Sequence, residues 1–103
     1  MESGRAAVLN DDIGDGRPLG MELAWSHETL PRLFQWRVMS DQNYVIGLEP
    51  GNLPIEGRAR AREEGTLVIL KPGEERRTSL RITLHNTAEG LAGARARIAA
   101  CLP

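Results

Sequence analysis

The residue with the strongest claim to chemistry is Glu49, which closes the run Tyr44-Val45-Ile46-Gly47-Leu48. That run is apolar on both parities, as expected of a strand covered on both sides. Pro50 follows and disfavours helix at Glu49 itself, and Pro50-Gly51-Asn52-Leu53-Pro54 has to be irregular. One carboxylate therefore stands at a strand end beside a loop bounded by proline and glycine. On residue pattern alone such a carboxylate more often caps a loop or pairs with a nearby arginine than does catalysis.

The other reactive side chains are weaker candidates. His27 shares parity with Trp25 at a strand end, and His85 shares parity with Arg81 and Thr83 on the polar side of the last strand, so both read as surface or rim histidines. Cys101 is the sole cysteine, which excludes a disulfide within the chain, and it reads as a semi-buried thiol with no histidine near it in sequence. No cluster has metal-ligand spacing and no glycine-rich loop fits a nucleotide phosphate, so neither metal nor cofactor is expected.

Several local patterns position Glu49. Asn10 to Pro18 is a run of turn formers and charges and predicts a loop. Met21, Leu23 and Trp25 alternate with Glu22, Ala24 and Ser26, which predicts a half-buried strand over Gly20 to Ser26. Leu33 to Met39 repeats the alternation, with Phe34, Trp36 and Val38 on one face and Gln35 and Arg37 on the other; Ser40 to Asn43 then turns the chain. Trp25 and Trp36 both fall within such patterns, where packing is the commoner role.

Arg58 to Glu64 predicts a short polar helix or turn closed by Gly65. Thr66 to Leu70 and Arg77 to His85 read as strands joined across a Lys71-Pro72-Gly73-Glu74 turn, paired with each other and with Leu80, Ile82 and Leu84 facing the core. After Asn86 the period becomes helical: Leu91, Ala94, Ile98 and Leu102 share a face, Arg95 and Arg97 point elsewhere, and Asn86 with Glu89 resembles a capping box. Gly90 and Gly93 each cost such a helix about 1 kcal/mol against alanine.

A length of 103 residues with 41% hydrophobic content bounds the chain at one domain with a modest core. Thirteen basic residues against 14 acidic ones create no field that would collect nucleic acid or anionic lipid. The arginines at 58, 60, 62, 95 and 97 lack interleaved aromatics and read as solvated faces. The first ten residues lack the apolar run of a signal peptide, and no stretch approaches the roughly 18 apolar residues of a membrane span. A cytoplasmic protein is expected.

Two motifs then resemble a known family. Leu48, Glu49, Asn52 and Pro54 are similar to the base motif of the aldose 1-epimerase (galactose mutarotase-like) family, in which a strand ends in an apolar residue and glutamate, followed by an amide side chain and proline. Thr66 to Glu75 is similar to that family's closing signature of apolar strand and Lys-Pro-Gly-Glu turn. Gln35-Trp36 before the Gly-Leu-Glu-Pro run, with Glu56-Gly57-Arg58 after it, is closest to a bacterial branch of the superfamily known as a domain of unknown function. The likeness covers Leu33 to Leu84.

The resemblance implies an all-β fold, an antiparallel β-sandwich of about six strands with a short C-terminal helix. Residues 1–86 would be the C-terminal sandwich portion of an aldose 1-epimerase-like domain and residues 87–103 a helical tail. It implies carbohydrate as the partner and Glu49 as the general base that removes the anomeric proton, in a setting dry enough to raise its basicity. Trp36, Asn52 and Arg58 would bind substrate, Trp36 as a wall or stacking face and Asn52 through a sugar hydroxyl. The family's general acid is a histidine on an upstream strand that has no counterpart here, so a sugar-binding module without turnover, or an inactive truncated product, is the alternative. Part of a large sandwich would expose sheet edges, which predicts a piece of a longer chain, a homodimer through those edges, or a chain unstable alone.

Overall fold

A computed structural model describes residues 3–101 and shows five strands and two helices, β1 (Gly4–Asn10), β2 (Leu19–Trp25), β3 (Arg32–Met39), β4 (Tyr44–Gly51), α1 (Arg58–Glu64), β5 (Leu80–His85) and α2 (Ala88–Ala100). They fall into two compact units, Met1–Ser26 with Ser79–Pro103 and His27–Thr78. The expected all-β antiparallel class and C-terminal helix are both present, and neither sheet closes into a barrel.

The first unit is a three-stranded sheet in the order β1-β2-β5 with every pairing antiparallel. β1 lacks a clear alternation and was not expected as a strand; its backbone is ordered by full pairing to β2, from Gly4 opposite Trp25 to Asn10 opposite Leu19. The turn-rich stretch between them forms the predicted loop. Asp12 Oδ1 accepts from the amides of Gly14 and Gly16 at 2.8 and 2.9 Å, tying the loop to itself.

The sheet register sorts its side chains. One face carries Ala6 and Val8, Met21, Leu23 and Trp25, and Leu80, Ile82 and Leu84; the other carries Arg5, Glu22, Ala24, Arg81, Thr83 and His85. Helix α2 packs on β1 and β2, with Leu91 and Ala94 fully buried and the Leu91 methyl seated over Gly20, on the Glu22 face. Burying Leu91 contributes roughly 2 kcal/mol. Leu23 and Trp25 are buried core residues, but Leu80, Ile82 and Leu84, expected inside, are 49%, 58% and 73% exposed. They lie on an edge strand, on the face opposite the one the helix covers.

The start of α2 also differs from expectation. Thr87, not Asn86, is its N-cap, and Thr87 Oγ1 accepts from the Gly90 amide at 3.0 Å. Glu89 lies in the first turn, where its charge complements the helix dipole. Gly90 has a packing reason: a Cβ there would come within 2.9 Å of His85 Nδ1. Leu102 lies outside the described residues. Cys101, the C-cap of α2, is exposed rather than semi-buried.

The second unit holds a two-stranded antiparallel ribbon, β3–β4, in register from Arg32 opposite Gly51 to Met39 opposite Tyr44. Its turn is closed by the Ser40 amide donating to the Asn43 carbonyl at 2.9 Å. β4 continues through Glu49 and Pro50 to Gly51, beyond the boundary expected from Pro50, because an edge strand tolerates a missing donor. α1 forms over the predicted polar stretch, buries Ala61, and ends at Gly65 in the left-handed conformation.

Thr66 to Leu70 is not a strand, and β5 pairs with β2 instead of with it. β-branched composition favours extended backbone, but a strand needs a partner for its hydrogen bonds, and the amides of Thr66 and Leu67 instead donate to the Ala61 carbonyl at the end of α1. The Lys71 to Glu74 turn forms as predicted, with the Glu74 amide donating to the Lys71 carbonyl at 2.9 Å and Gly73 at φ 80°.

Candidate functional site

On the β3–β4 ribbon, residues directly opposite one another share a face, and the register sets Phe34 opposite Glu49 and Trp36 opposite Gly47. Phe34, Trp36, Gly47, Glu49 and Gly51 therefore line one side. Gly47 and Gly51 flank Glu49 two residues away in each direction, so Glu49 is the sole side chain of β4 on that face between them. A Cβ at Gly47 would lie 3.7 Å from Glu49 Oε1 and 3.7 Å from Trp36 Cε3, in ordinary contact with both. The carboxylate and the indole thus border one glycine-floored hollow, with Phe34 Cε2 beside Gly51 at its other end.

Glu49 is exposed and Trp36 is 54% exposed. Such a surface offers an aromatic face and a hydrogen-bond acceptor to a polar ring whose C–H groups can stack on the indole. Of the four residues expected at the site, the fold brings Glu49 and Trp36 together. Asn52 follows the end of β4 and is half-buried, and Arg58 is the exposed first residue of α1; among the described residues neither side chain hydrogen-bonds to Glu49. Phe34, Gly47 and Gly51 belong to this face in addition to the expected residues; the Gly-x-Glu-x-Gly pattern of residues 47–51, placed in a strand, isolates the central carboxylate on one face.

A second glutamate has the opposite setting. Glu22, on β2, is 4% exposed beneath α2. Arg97 donates to it through Nε at 2.7 Å and a terminal nitrogen at 2.8 Å, Arg5 donates at 3.2 Å, and His85 Nε2 lies 2.9 Å from its Oε1. An ionised carboxylate only accepts, so His85 carries its proton on Nε2 in this contact. The Arg97 hydrogen bonds, with help from His85 and Arg5 and against the opposing effect of burial, pull the Glu22 pKa down to about 2; the same contact raises that of Arg97. A carboxylate held ionised in this way ties helix to sheet and is unsuited to donating a proton near neutral pH.

Arg97 was expected to point away from the apolar helix face, and Glu22 to alternate outward. Parity places Glu22, Arg5 and His85 on one sheet face, but nothing local indicates that a helix will cover that face. Among the described residues no group of three His, Cys, Asp or Glu side chains could hold a metal ion, and no helix is long and apolar enough to cross a membrane.

The family model described as Domain of unknown function (DUF4432) matches residues 2–84, a span that takes in Glu22, Trp36 and Glu49 and stops before His85 and Arg97. No curated protein and no solved structure matches the chain.

Proposed function

We propose that this chain, which belongs to the DUF4432 family, handles carbohydrate in the manner of an aldose 1-epimerase, with Glu49 as general base and Trp36 as the sugar platform. The observation that carries the proposal is the shared face of Glu49 and Trp36 on the ribbon, with only Gly47 between them. The motif resemblance around Leu48, Glu49, Asn52 and Pro54 supports the same assignment.

The chemistry needs few parts. With the apolar face of a pyranose against Trp36, the Glu49 carboxylate accepts the proton of the anomeric hydroxyl as the bond from C1 to the ring oxygen breaks. An acid, a histidine by the family resemblance, protonates that oxygen. Rotation about the C1–C2 bond and reclosure give the other anomer. His85 is engaged with Glu22 at 2.9 Å. Asn52 and Arg58 are proposed to reach hydroxyl groups beyond the anomeric centre, since both follow β4 closely in sequence.

Sugar binding without turnover is the second reading, favoured by the exposure of Glu49, because a solvated carboxylate is a weak base. NMR exchange spectroscopy on a free aldose separates the two. Anomer exchange above the buffer rate that disappears in Glu49→Gln identifies the base. Exchange at the buffer rate in both proteins, with sugar-dependent fluorescence lost in Trp36→Ala, leaves binding alone. Neither signal across a panel of aldoses would reject carbohydrate at this face.

A further inference from the structure

β5 is an edge strand: among the described residues it pairs with β2 and with no other strand. The Ser26 amide donates to the Ser79 carbonyl at 3.0 Å, one position beyond the pair of Trp25 and Leu80. Ser26 and Ser79 are therefore a hydrogen-bonded pair, and the alternation of an antiparallel ladder turns the amides and carbonyls of Arg81, Thr83 and His85 towards β2. Those of Leu80, Ile82 and Leu84 point outward from the sheet edge. The same three residues carry the exposed apolar side chains of the strand.

Sheet edges are commonly blunted by proline, lysine, bulges or charges that point inward. β4 carries Gly47 and Pro50, whereas β5 holds no proline, glycine or lysine, and its Arg81 lies on the face away from the apolar row. The order Leu80-Arg81-Ile82-Thr83-Leu84 also complements itself. About a two-fold axis at Ile82, an antiparallel second copy sets Leu80 opposite Leu84, Ile82 opposite Ile82 and Arg81 opposite Thr83. Every outward amide of the three apolar residues then meets an outward carbonyl, and no like charges face each other. An axis at Arg81 would oppose two guanidinium groups, and one at Thr83 would set Arg81 against His85; either shift leaves one apolar residue facing a position outside β5.

We propose that β5 is the interface of a homodimer, in which two copies of this chain join edge to edge about Ile82 and merge their sheets into one of six antiparallel strands. Backbone hydrogen bonds hold the edges together, and the paired rows of Leu80, Ile82 and Leu84 shield one another across the junction. An edge of six residues is a small interface, so the association is reversible, with a dissociation constant of roughly 10 to 100 μM. The interface shares no residue with the Glu49 face, so it stands or falls independently of sugar binding there.

The test is sedimentation equilibrium of the whole chain, which is expected to show monomer and dimer exchanging in that concentration range. Ile82→Lys places two ammonium groups opposite each other on the axis and should weaken association at least about tenfold. Ile82 is 58% exposed, so the variant monomer keeps its fold, which circular dichroism checks. The register has its own test, because residue 80 of one copy faces residue 84 of the other. Leu80→Glu and Leu84→Lys should each weaken the dimer, and the double variant, with each carboxylate opposite the other copy's ammonium, should recover it. A chain that stays monomeric up to about 1 mM, or a dimer indifferent to Ile82→Lys, overturns the proposal. Failure of the double variant to recover association overturns the Ile82-centred pairing.

Discussion

Glu22 on β2 and Glu49 on β4 are the same residue type on strands, and their surroundings are opposites. Glu22 lies under α2 with two arginines and a histidine as partners and has no freedom left; Glu49 stands exposed between two glycines, with an indole beside it and, among the described residues, no ion pair. The difference lies in what covers each strand. A helix over a sheet face makes a carboxylate structural, because a buried charge has to be fully paired. An open ribbon face leaves a carboxylate available to a ligand.

The sharpest way to break this contrast is to remove each charge in turn. Glu22→Gln strands Arg5 and Arg97 beside a neutral amide and is expected to lower unfolding stability by about 3 kcal/mol in urea denaturation. Glu49→Gln is expected to stay within about 0.5 kcal/mol of the parent. Equal effects would show that Glu22 is not the structural one of the pair.

Acid titration probes the same asymmetry. With a folded pKa of about 2 against an unfolded value of about 4.3, Glu22 contributes stability that is fully present above the unfolded value and is lost as pH falls through the folded one. The unfolding free energy from urea denaturation should therefore decline from about pH 5 towards pH 2, by up to roughly 3 kcal/mol. The Glu22→Gln variant should show a flatter profile in that window. A parallel decline in both proteins would assign the acid sensitivity elsewhere.

Two glycines give the smallest effects and the finest discrimination. Gly90→Ala forces a Cβ to within 2.9 Å of His85 Nδ1, which should outweigh the helix-propensity gain of about 1 kcal/mol and leave a net loss of roughly 1 kcal/mol by thermal denaturation. Gly47→Ala meets only ordinary 3.7 Å contacts and should keep or slightly raise stability, by up to about 0.5 kcal/mol. Its methyl group would fill the hollow between Glu49 and Trp36 and weaken any sugar titration. A Gly47→Ala protein with undiminished sugar binding would move the ligand off this face.

Local signals in the sequence were accurate where the structure they specify is local. The alternation of Leu33 to Met39, the turn at Ser40 to Asn43 and the apolar run into Glu49 together form the ribbon, and they put Trp36 and Glu49 on one side, but the run is not covered on both sides, since Tyr44 and Val45 are exposed. The Lys71 to Glu74 turn formed for the same reason. Thr66 to Leu70 failed because extended propensity does not supply a pairing partner, while β1 went unseen because its pairing to β2 does. Leu80, Ile82 and Leu84 were sorted onto one face correctly, yet parity is silent on which face a helix will cover. The Glu22 network was illegible on that account, since Arg5, His85 and Arg97 reach it from three separate parts of the chain.

The β2–β5 pairing carries a kinetic consequence. Ser26 and Ser79, whose hydroxyls meet at 2.8 Å beside that pairing, are 53 positions apart, whereas the ribbon pairs Met39 with Tyr44 across one short turn. Closing the longer loop costs about 2 kcal/mol more chain entropy, and that difference enters before any contact compensates it. Contact order alone therefore ranks the ribbon among early-forming elements and the sheet with its Glu22 network among late ones. Until β5 reaches β2, neither His85 nor the helix that follows it is in place, and Glu22 is an ordinary solvated carboxylate.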